Sequence, residues 1–408
     1  MESFDLTQRT IFGCLAHNLF GVPFEPDACV DWEAVFRESI SQSVTMQVFM
    51  NCGEIPGISG ELKAEIQKYL FKAMLGNIRV HDHHTQLHRL LTAKGIPYVT
   101  LKGAASARYY PDPQSRAMGD VDFYVSKSDF DRTLEIFKQD GFTAGSLDHI
   151  SHVVLKKKPM HLEMHHTPAG VPDGEVGERI RRYLEDLLED ARLVEGKSAV
   201  CFCPSDFHHG LIMLMHLQHH LLAEGVGLRH LCDWAVFVDH FRGNEFPELF
   251  REKLKAVGLW RLARLLTIVS SLYLGLPEQE WARGSGKDEE TARALLCDIL
   301  EGGNFGKKDH QRAYEGMFIS DRGKNGVKDN RLSMAMKMVN RITLQKYPFF
   351  RRCPVLLPFG WLMAICGYLL RNRKRRHRGI RIDTVDAYQK SAPRIRLYQR
   401  LKLYEPEK

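Results

Sequence analysis

Leu101-Lys102-Gly103-Ala104-Ala105-Ser106, followed by Arg116-Ala117-Met118-Gly119-Asp120-Val121-Asp122-Phe123-Tyr124-Val125, is the stretch from which the rest of the chain can be read. Ahead of it, Ile96-Pro97-Tyr98-Val99-Thr100-Leu101 is rich in β-branched and aromatic residues. That composition predicts a strand delivering Lys102-Gly103 to the start of a small-residue helix. A glycine at such a junction lets backbone N–H groups come close to an anion. From Asp120 to Val125 acidic and apolar residues alternate, and the two-residue period of a strand puts Asp120 and Asp122 on one face, Val121 and Phe123 on the other. Two carboxylates in one small space repel unless protonated or neutralised, and a divalent cation with oxygen preference is the common resolution.

A third acid comes from His161-Leu162-Glu163-Met164-His165, where polar residues again occupy alternate positions. His161, Glu163 and His165 then project from one strand face while Leu162 and Met164 enter the core. Set beside the first acidic strand, this segment brings three carboxylates together.

Lys102-Gly103, Arg116, Gly119-Asp120-Val121-Asp122 and Glu163-Met164-His165 together resemble the uncharacterised nucleotidyltransferase branch of the polymerase-β-like superfamily, over roughly Pro97 to His166. The resemblance implies an α+β minimal nucleotidyltransferase fold, a short mixed sheet with helices on one side. It implies Mg²⁺, with Mn²⁺ as a substitute, held by Asp120, Asp122 and Glu163. The first two acids would bind both metals, and Glu163 would hold one of them near the attacking hydroxyl; two-metal transfer needs cations about 3.5–4 Å apart. An NTP is the implied substrate, with Lys102, Gly103, Ala104, Ser106, Arg116 and His165 as candidate nucleotide-binding residues. Gly103 and Ala104 would offer backbone donors at a helix N-terminus, where the dipole favours negative charge. One departure is Ala104, which lacks the hydroxyl of the Gly-Ser pair that many superfamily members carry. Arg116 fits either a phosphate ligand or a structural ion pair. His165 fits a partner of Glu163, a substrate contact or a packed core histidine.

The chain has 408 residues, too many for one minimal catalytic unit, and its 44% hydrophobic content is ordinary for a globular protein. The organisation expected is a helical region over 1–95, a catalytic unit over 96–203, a helical covering domain over 204–301, and a flexible segment with basic C-terminal helices over 302–408. Within the first region, helices are expected over Leu6–Phe20, Asp31–Phe49 and Gly60–Ala93, packing on the catalytic unit or roofing its cleft. His84 and His88 share a helix face, and the surrounding His81-Asp82-His83-His84 cluster reads as a solvated face. Nine cysteines scattered from Cys14 to Cys366 form no disulfide framework, and Met1-Glu2-Ser3-Phe4-Asp5 lacks a basic and apolar leader, so a reducing cytosolic setting is expected.

Further helices are expected over Asp129–Gly141 and Phe207–Leu222, with a hairpin from Phe142 to Leu155 turning at Lys156-Lys157-Lys158-Pro159 and a short strand near Ala199 to Phe202. His216 and His220 have the i,i+4 spacing of a zinc pair, but no Glu stands at the peptidase position, which excludes that activity. Leu228-Arg229-His230-Leu231-Cys232-Asp233 after this histidine-bearing helix resembles a second landmark of the same family, and implies an all-helical domain across the cleft. There Arg229 and Asp233 are spaced to pair. Gly284-Ser285-Gly286-Lys287-Asp288 fails the phosphate-loop pattern and reads as a linker. Pro354–Leu370 is apolar but too short and Pro/Gly-broken to span a membrane, and it is followed by Arg371-Asn372-Arg373-Lys374-Arg375-Arg376-His377-Arg378. Residues 354–378 therefore read as a docking helix with a basic end, or as an attachment to an anionic surface at the inner membrane face. Nucleic acid is not the expected partner, because no aromatic-interleaved reading module accompanies the basic run. The function this adds up to is transfer of a nucleoside monophosphate from an NTP to a hydroxyl or phosphate acceptor. The alternative is an inactive nucleotide-binding or scaffolding protein of the same fold.

Overall fold

The computed structural model describes residues 4–50, 57–145, 152–168, 170–196, 199–309, 349–376 and 394–407, with isolated positions between 312 and 347. Helix α1 (Leu6–Phe20) starts at a capping box between Asp5 and Gln8 and stops at Gly21, whose φ is 70°. The single helix expected over Asp31–Phe49 is two, α2 (Trp32–Gln42) and α3 (Thr45–Phe49), because Ser43 takes a left-handed φ of 57°. Helix α4 (Gly60–Ala93) runs unbroken as expected.

The region expected over 96–203 is built on a five-stranded sheet. Its elements are β1 (Tyr98–Thr100), α5 (Ala104–Ala107), β2 (Val121–Val125), α6 (Phe130–Gln139), β3 (Thr143–Ala144), β4 (His152–Lys157) and β5 (Met160–His165). Strand order is β1-β2-β5-β4-β3, with β2 and β5 parallel and the other pairs antiparallel. Lys156 and Lys157 belong to β4, so the turn expected over four residues is only Lys158-Pro159. One face of the sheet is apolar: Val121, Phe123, Val125, Leu155, Leu162 and Met164 are buried against Leu87 and Leu91 of α4 and Leu134 and Phe137 of α6. Each such side chain contributes about 1.5–3 kcal/mol on burial, and a one-residue slip of β2 would turn Phe123 outward and Asp122 inward.

Helix α7 (Glu175–Tyr183) follows the sheet. Glu185, Asp186, Glu189 and Asp190 follow, and negative charge opposes continuation of a helix whose C-terminal end is already negative. A two-stranded ribbon comes next, β6 (Arg192–Glu195) with β7 (Val200–Cys203). Then come α8 (Asp206–Leu222), α9 (Leu228–Asp239), α10 (Glu245–Ala256), α11 (Trp260–Tyr273) and α12 (Gly286–Gly302). The expected linker at Gly284–Asp288 is a capping box, in which Ser285 and Asp288 start α12. After it lie α13 (Phe349–Arg352) and α14 (Leu357–Arg376). Most of the Gly302–Val327 segment expected to be flexible lies outside the described residues.

The N-terminal helices do not form a layer of their own. Leu15, Phe36 and Val48 share one apolar core with Leu211, Trp234, Leu266 and Leu296, and with Ile395 and Leu401 of the C-terminal helix at 394–401. Helix α4 joins the two cores, with Ile66 in this one and Leu87 under the sheet. No described helix is long and apolar enough to cross a membrane.

Candidate active site

Parallel pairing of β2 with β5 sets Asp122 directly opposite Glu163, with Val121 opposite Leu162 and Tyr124 opposite His165. Because Val121, Phe123, Leu162 and Met164 hold the apolar face, Asp122 and Glu163 must stand together on the other. Asp120, one step before β2, shares their face, and all three acids line one cleft of about 480 Å³ between the sheet and helices α8 and α9. Asp122 is buried, while Asp120 stands exposed at the rim.

Neighbouring cations balance this charge. Lys102 Nζ lies 2.9 Å from Asp122 Oδ1, and His165 Nε2 lies 3.1 Å from the same oxygen and 3.6 Å from Glu163 Oε2. Burial alone would push the Asp122 carboxyl up, but Lys102 and His165 outweigh it and hold Asp122 well below the usual carboxylate range. Burial likewise pulls His165 down, and its hydrogen bonds to Asp122 and Glu163 reverse that, leaving it above the ordinary imidazole value. At the rim, His161 Nδ1 lies 2.7 Å from Asp120 Oδ1. His165 is thus a partner of both Asp122 and Glu163.

The Lys102-Gly103 turn is tight. Gly103 has φ 62° and ψ −110°, a conformation that side chains disfavour, and a Cβ there would stand 3.3 Å from Nε2 of His84. This corrects the reading of the α4 histidines as a solvated face: His81, His83 and His84 are buried. Burial first, then neighbouring positive charge, lowers His81 to about 4 and helps bring His84 to about 3, so both are neutral near pH 7. His88 instead meets the Tyr98 hydroxyl at 3.1 Å. Ser106, on α5, faces His209 Nε2 at 3.4 Å.

Arg116 lines the cleft, but its fork is already engaged. Its Nε and one terminal nitrogen donate to the two oxygens of Asp233 at 2.7 Å each, and Tyr110 donates to the same carboxylate at 2.7 Å. Arg116 thus makes the ion pair with Asp233, in place of the expected Arg229–Asp233 pair, while still lining the cleft. Arg229 instead donates to the Ala117 carbonyl at 3.3 Å and lies over the ring of Phe305. Sequence reading missed Asn77, buried on α4. It donates to the carbonyls of Gln114 and Arg116 at 2.7 and 2.8 Å and accepts from the Met118 N–H at 3.0 Å, fixing the loop that feeds Asp120. It also missed Glu224, Trp234 and Phe305, which line the cleft with His216, His220 and His230. Only the Asn-then-loop spacing of 41 residues between Asn77 and Met118 marks the first of these, and no local pattern reveals such a pair.

The model of a family described as uncharacterised nucleotidyltransferases matches residues 28–275, the greater part of the chain. The chain belongs to that family. The match contains all three acids, the Lys102-Gly103 turn and helices α8 to α10, and the α+β fold expected from the resemblance is the fold observed. No curated protein matches the chain.

Divalent metals are typical of nucleotidyltransferases, and the donor set here suits one. Asp122 and Glu163 face one cleft from paired strands, Asp120 stands at its solvent edge, and hard carboxylate oxygens of this kind suit a divalent cation. Among the described residues, the group whose ligand atoms all lie within 4.8 Å of one another is His152, Glu163 and His165, a mixed set in which the imidazoles add nitrogen to one of the three acids.

Proposed function

We propose that this nucleotidyltransferase moves a nucleoside monophosphate from an NTP to a hydroxyl or phosphate acceptor, releasing pyrophosphate. The register that sets Asp122 opposite Glu163, with Asp120 on the same face and Lys102-Gly103 beside them, is the observation that carries the reading. Asp120, Asp122 and Glu163 would hold Mg²⁺, or Mn²⁺ in its place. When bound, such ions polarise phosphoryl oxygens and make an attacking oxygen available at neutral pH. Lys102 would bring a positive charge to the NTP phosphates, and Gly103 lines the same cleft, with the Gly103 and Ala104 backbone N–H groups as the proposed phosphate donors. Glu163 orients the acceptor oxygen, which attacks the α-phosphorus. The bond between that phosphorus and the α–β bridging oxygen breaks, pyrophosphate departs with it, and the acceptor proton leaves to solvent. The Arg116–Asp233 pair and Asn77 keep the loop ahead of Asp120 in place.

Incubation of the full chain with labelled NTPs, Mg²⁺ and a cell extract, followed by mass spectrometry, should reveal a species that has gained a nucleotide. NTP binding with no transfer to any acceptor would leave the inactive nucleotide-binding alternative instead. Glu163→Gln should slow transfer by about 100-fold while weakening NTP binding much less, because the lost charge acts at the nucleophile. Equal losses in both would contradict that role.

The exposed face of α14 supports a location at an anionic membrane surface. Gly360 and Ala364 are buried, while Phe359, Leu362 and Met363 are exposed with the spacing of one helix face. The helix continues into Arg371-Asn372-Arg373-Lys374-Arg375-Arg376, and apolar and basic signals cooperate at lipid surfaces. The full chain should float with vesicles containing anionic lipid and not with zwitterionic ones. The double variant Phe359→Ser/Leu362→Ser should lose that flotation; retention of it would remove α14 from the attachment.

A further inference from the structure

We infer that Phe305, with His216 and His230, forms the subsite that holds the planar base of the nucleoside triphosphate. The inference rests on the nucleotidyltransferase reading and adds where the base lies and what grips it. Phe305 sits beyond the matched residues 28–275, so the family match does not assign it a role.

The first observation is its backbone. Phe305 has φ 55° and ψ 43°, between Gly303 at φ 64° and Gly306 at φ 68°. A bulky side chain in left-handed backbone is an outlier, and such outliers cluster at ligand clamps. Packing holds it there: Asn304 beside it is buried, and Lys307 Nζ donates to the Ile40 carbonyl at 3.3 Å and lies 3.0 Å from Ser43 Oγ. Yet the ring that this backbone places is not buried. It is 39% exposed and lines the same cleft as the three acids.

The second observation is the company of that ring. His220 and His230 stand at 4.8 and 5.3 Å between ring centroids, and the Arg229 guanidinium carbon lies 5.7 Å over it. His230 is only 7% exposed, and neither of its ring nitrogens has a hydrogen-bond partner among the described residues. A buried polar group left unpaired calls for a ligand or an ordered water. Burial holds His216 and His230 well below the ordinary imidazole value, so each is neutral and offers one donor and one acceptor. That is the complement of a nucleobase edge, while an aromatic face serves any base by stacking. The phosphate-facing features, Lys102 and the Gly103 turn, belong to the sheet side of the cleft. The aromatic and imidazole features belong to the helical side, which divides the cleft as an NTP divides into tail and base.

Calorimetric titration of the full chain, with Mg²⁺, against each of the four NTPs and against inorganic tripolyphosphate tests this. Phe305→Ala should weaken NTP binding about tenfold and leave tripolyphosphate binding unchanged, while Phe305→Trp should retain NTP affinity. His230→Ala should reduce the affinity ratio between the best and worst of the four bases. Unchanged NTP affinity in Phe305→Ala, with the wild-type protein binding NTPs, would overturn the subsite and leave the nucleotidyltransferase reading standing. A parallel loss of tripolyphosphate and NTP in that variant would also overturn it, since the ring would then be supporting the cleft as a whole. A wild-type protein that binds tripolyphosphate and no NTP better would overturn both.

Discussion

Asp122→Asn is expected to reduce nucleotidyl transfer by about three orders of magnitude or more while the protein stays folded. The side chains match in shape, so the change removes one negative charge and little else. That charge stands opposite Glu163 in register, and it is the oxygen on which Lys102 and His165 converge. Loss of a charge that acts on a developing transition state commonly costs ~4 kcal/mol, which is the predicted fall in rate. The fold survives because β2 is held by its other face, through Val121, Phe123 and Val125. A pH signature should accompany the loss. The folded-state pKa of Asp122 is depressed, so its charge stabilises the native state above the ordinary carboxylate range and ceases to do so as pH falls through the folded value. The variant should lack that contribution, and its acid unfolding should begin from a stability that depends less on pH. Transfer of label from NTP, read beside thermal unfolding followed by circular dichroism, checks both halves. Asp120→Asn should abolish transfer too. Wild-type turnover in either variant would strip these acids of the assigned role.

The sheet was legible because its two acidic segments carry a strict two-residue period, and a period fixes faces without knowledge of partners. Glu163 could be placed beside Asp122 for that reason, and the helices followed from their apolar spacing and caps. What stayed hidden depends on contacts between distant parts of the chain. Helical spacing pairs Arg229 with Asp233 because they are one turn apart, whereas the fold delivers Arg116 from 117 residues away to take both oxygens. The α4 histidines read as solvated because their neighbours are polar, and their burial, His84 beside the Gly103 turn among them, comes from parts of the chain that local spacing does not show. Phe305 lies in a glycine-flanked segment with no periodicity, so nothing local marks its ring as part of the cleft.

Asp233→Ala is expected to destabilise the protein by about 3–5 kcal/mol, the cost of leaving a buried charge without its partner. Total stabilities of about 5–15 kcal/mol make that a large fraction. Asp233 and Arg116 are both buried, and the carboxylate accepts from Arg116 twice and from Tyr110 once. Burial pushes the Asp233 carboxyl up, but Arg116 outweighs it and keeps it ionised below the usual range. Its contribution is therefore present above the ordinary carboxylate range and is lost as pH falls through the folded value. The double variant Arg116→Met/Asp233→Leu should be far less destabilised than Asp233→Ala, because it buries no unpaired charge; urea unfolding midpoints of the set decide this. Transfer activity then separates the two roles open to Arg116. If the guanidinium serves only to anchor the loop ahead of Asp120, the double variant regains much of the activity that Asp233→Ala loses. If it also reaches the NTP phosphates, stability returns and activity does not. A double variant as unstable as Asp233→Ala would mean that the pair stabilises this loop by geometry that apolar side chains cannot supply.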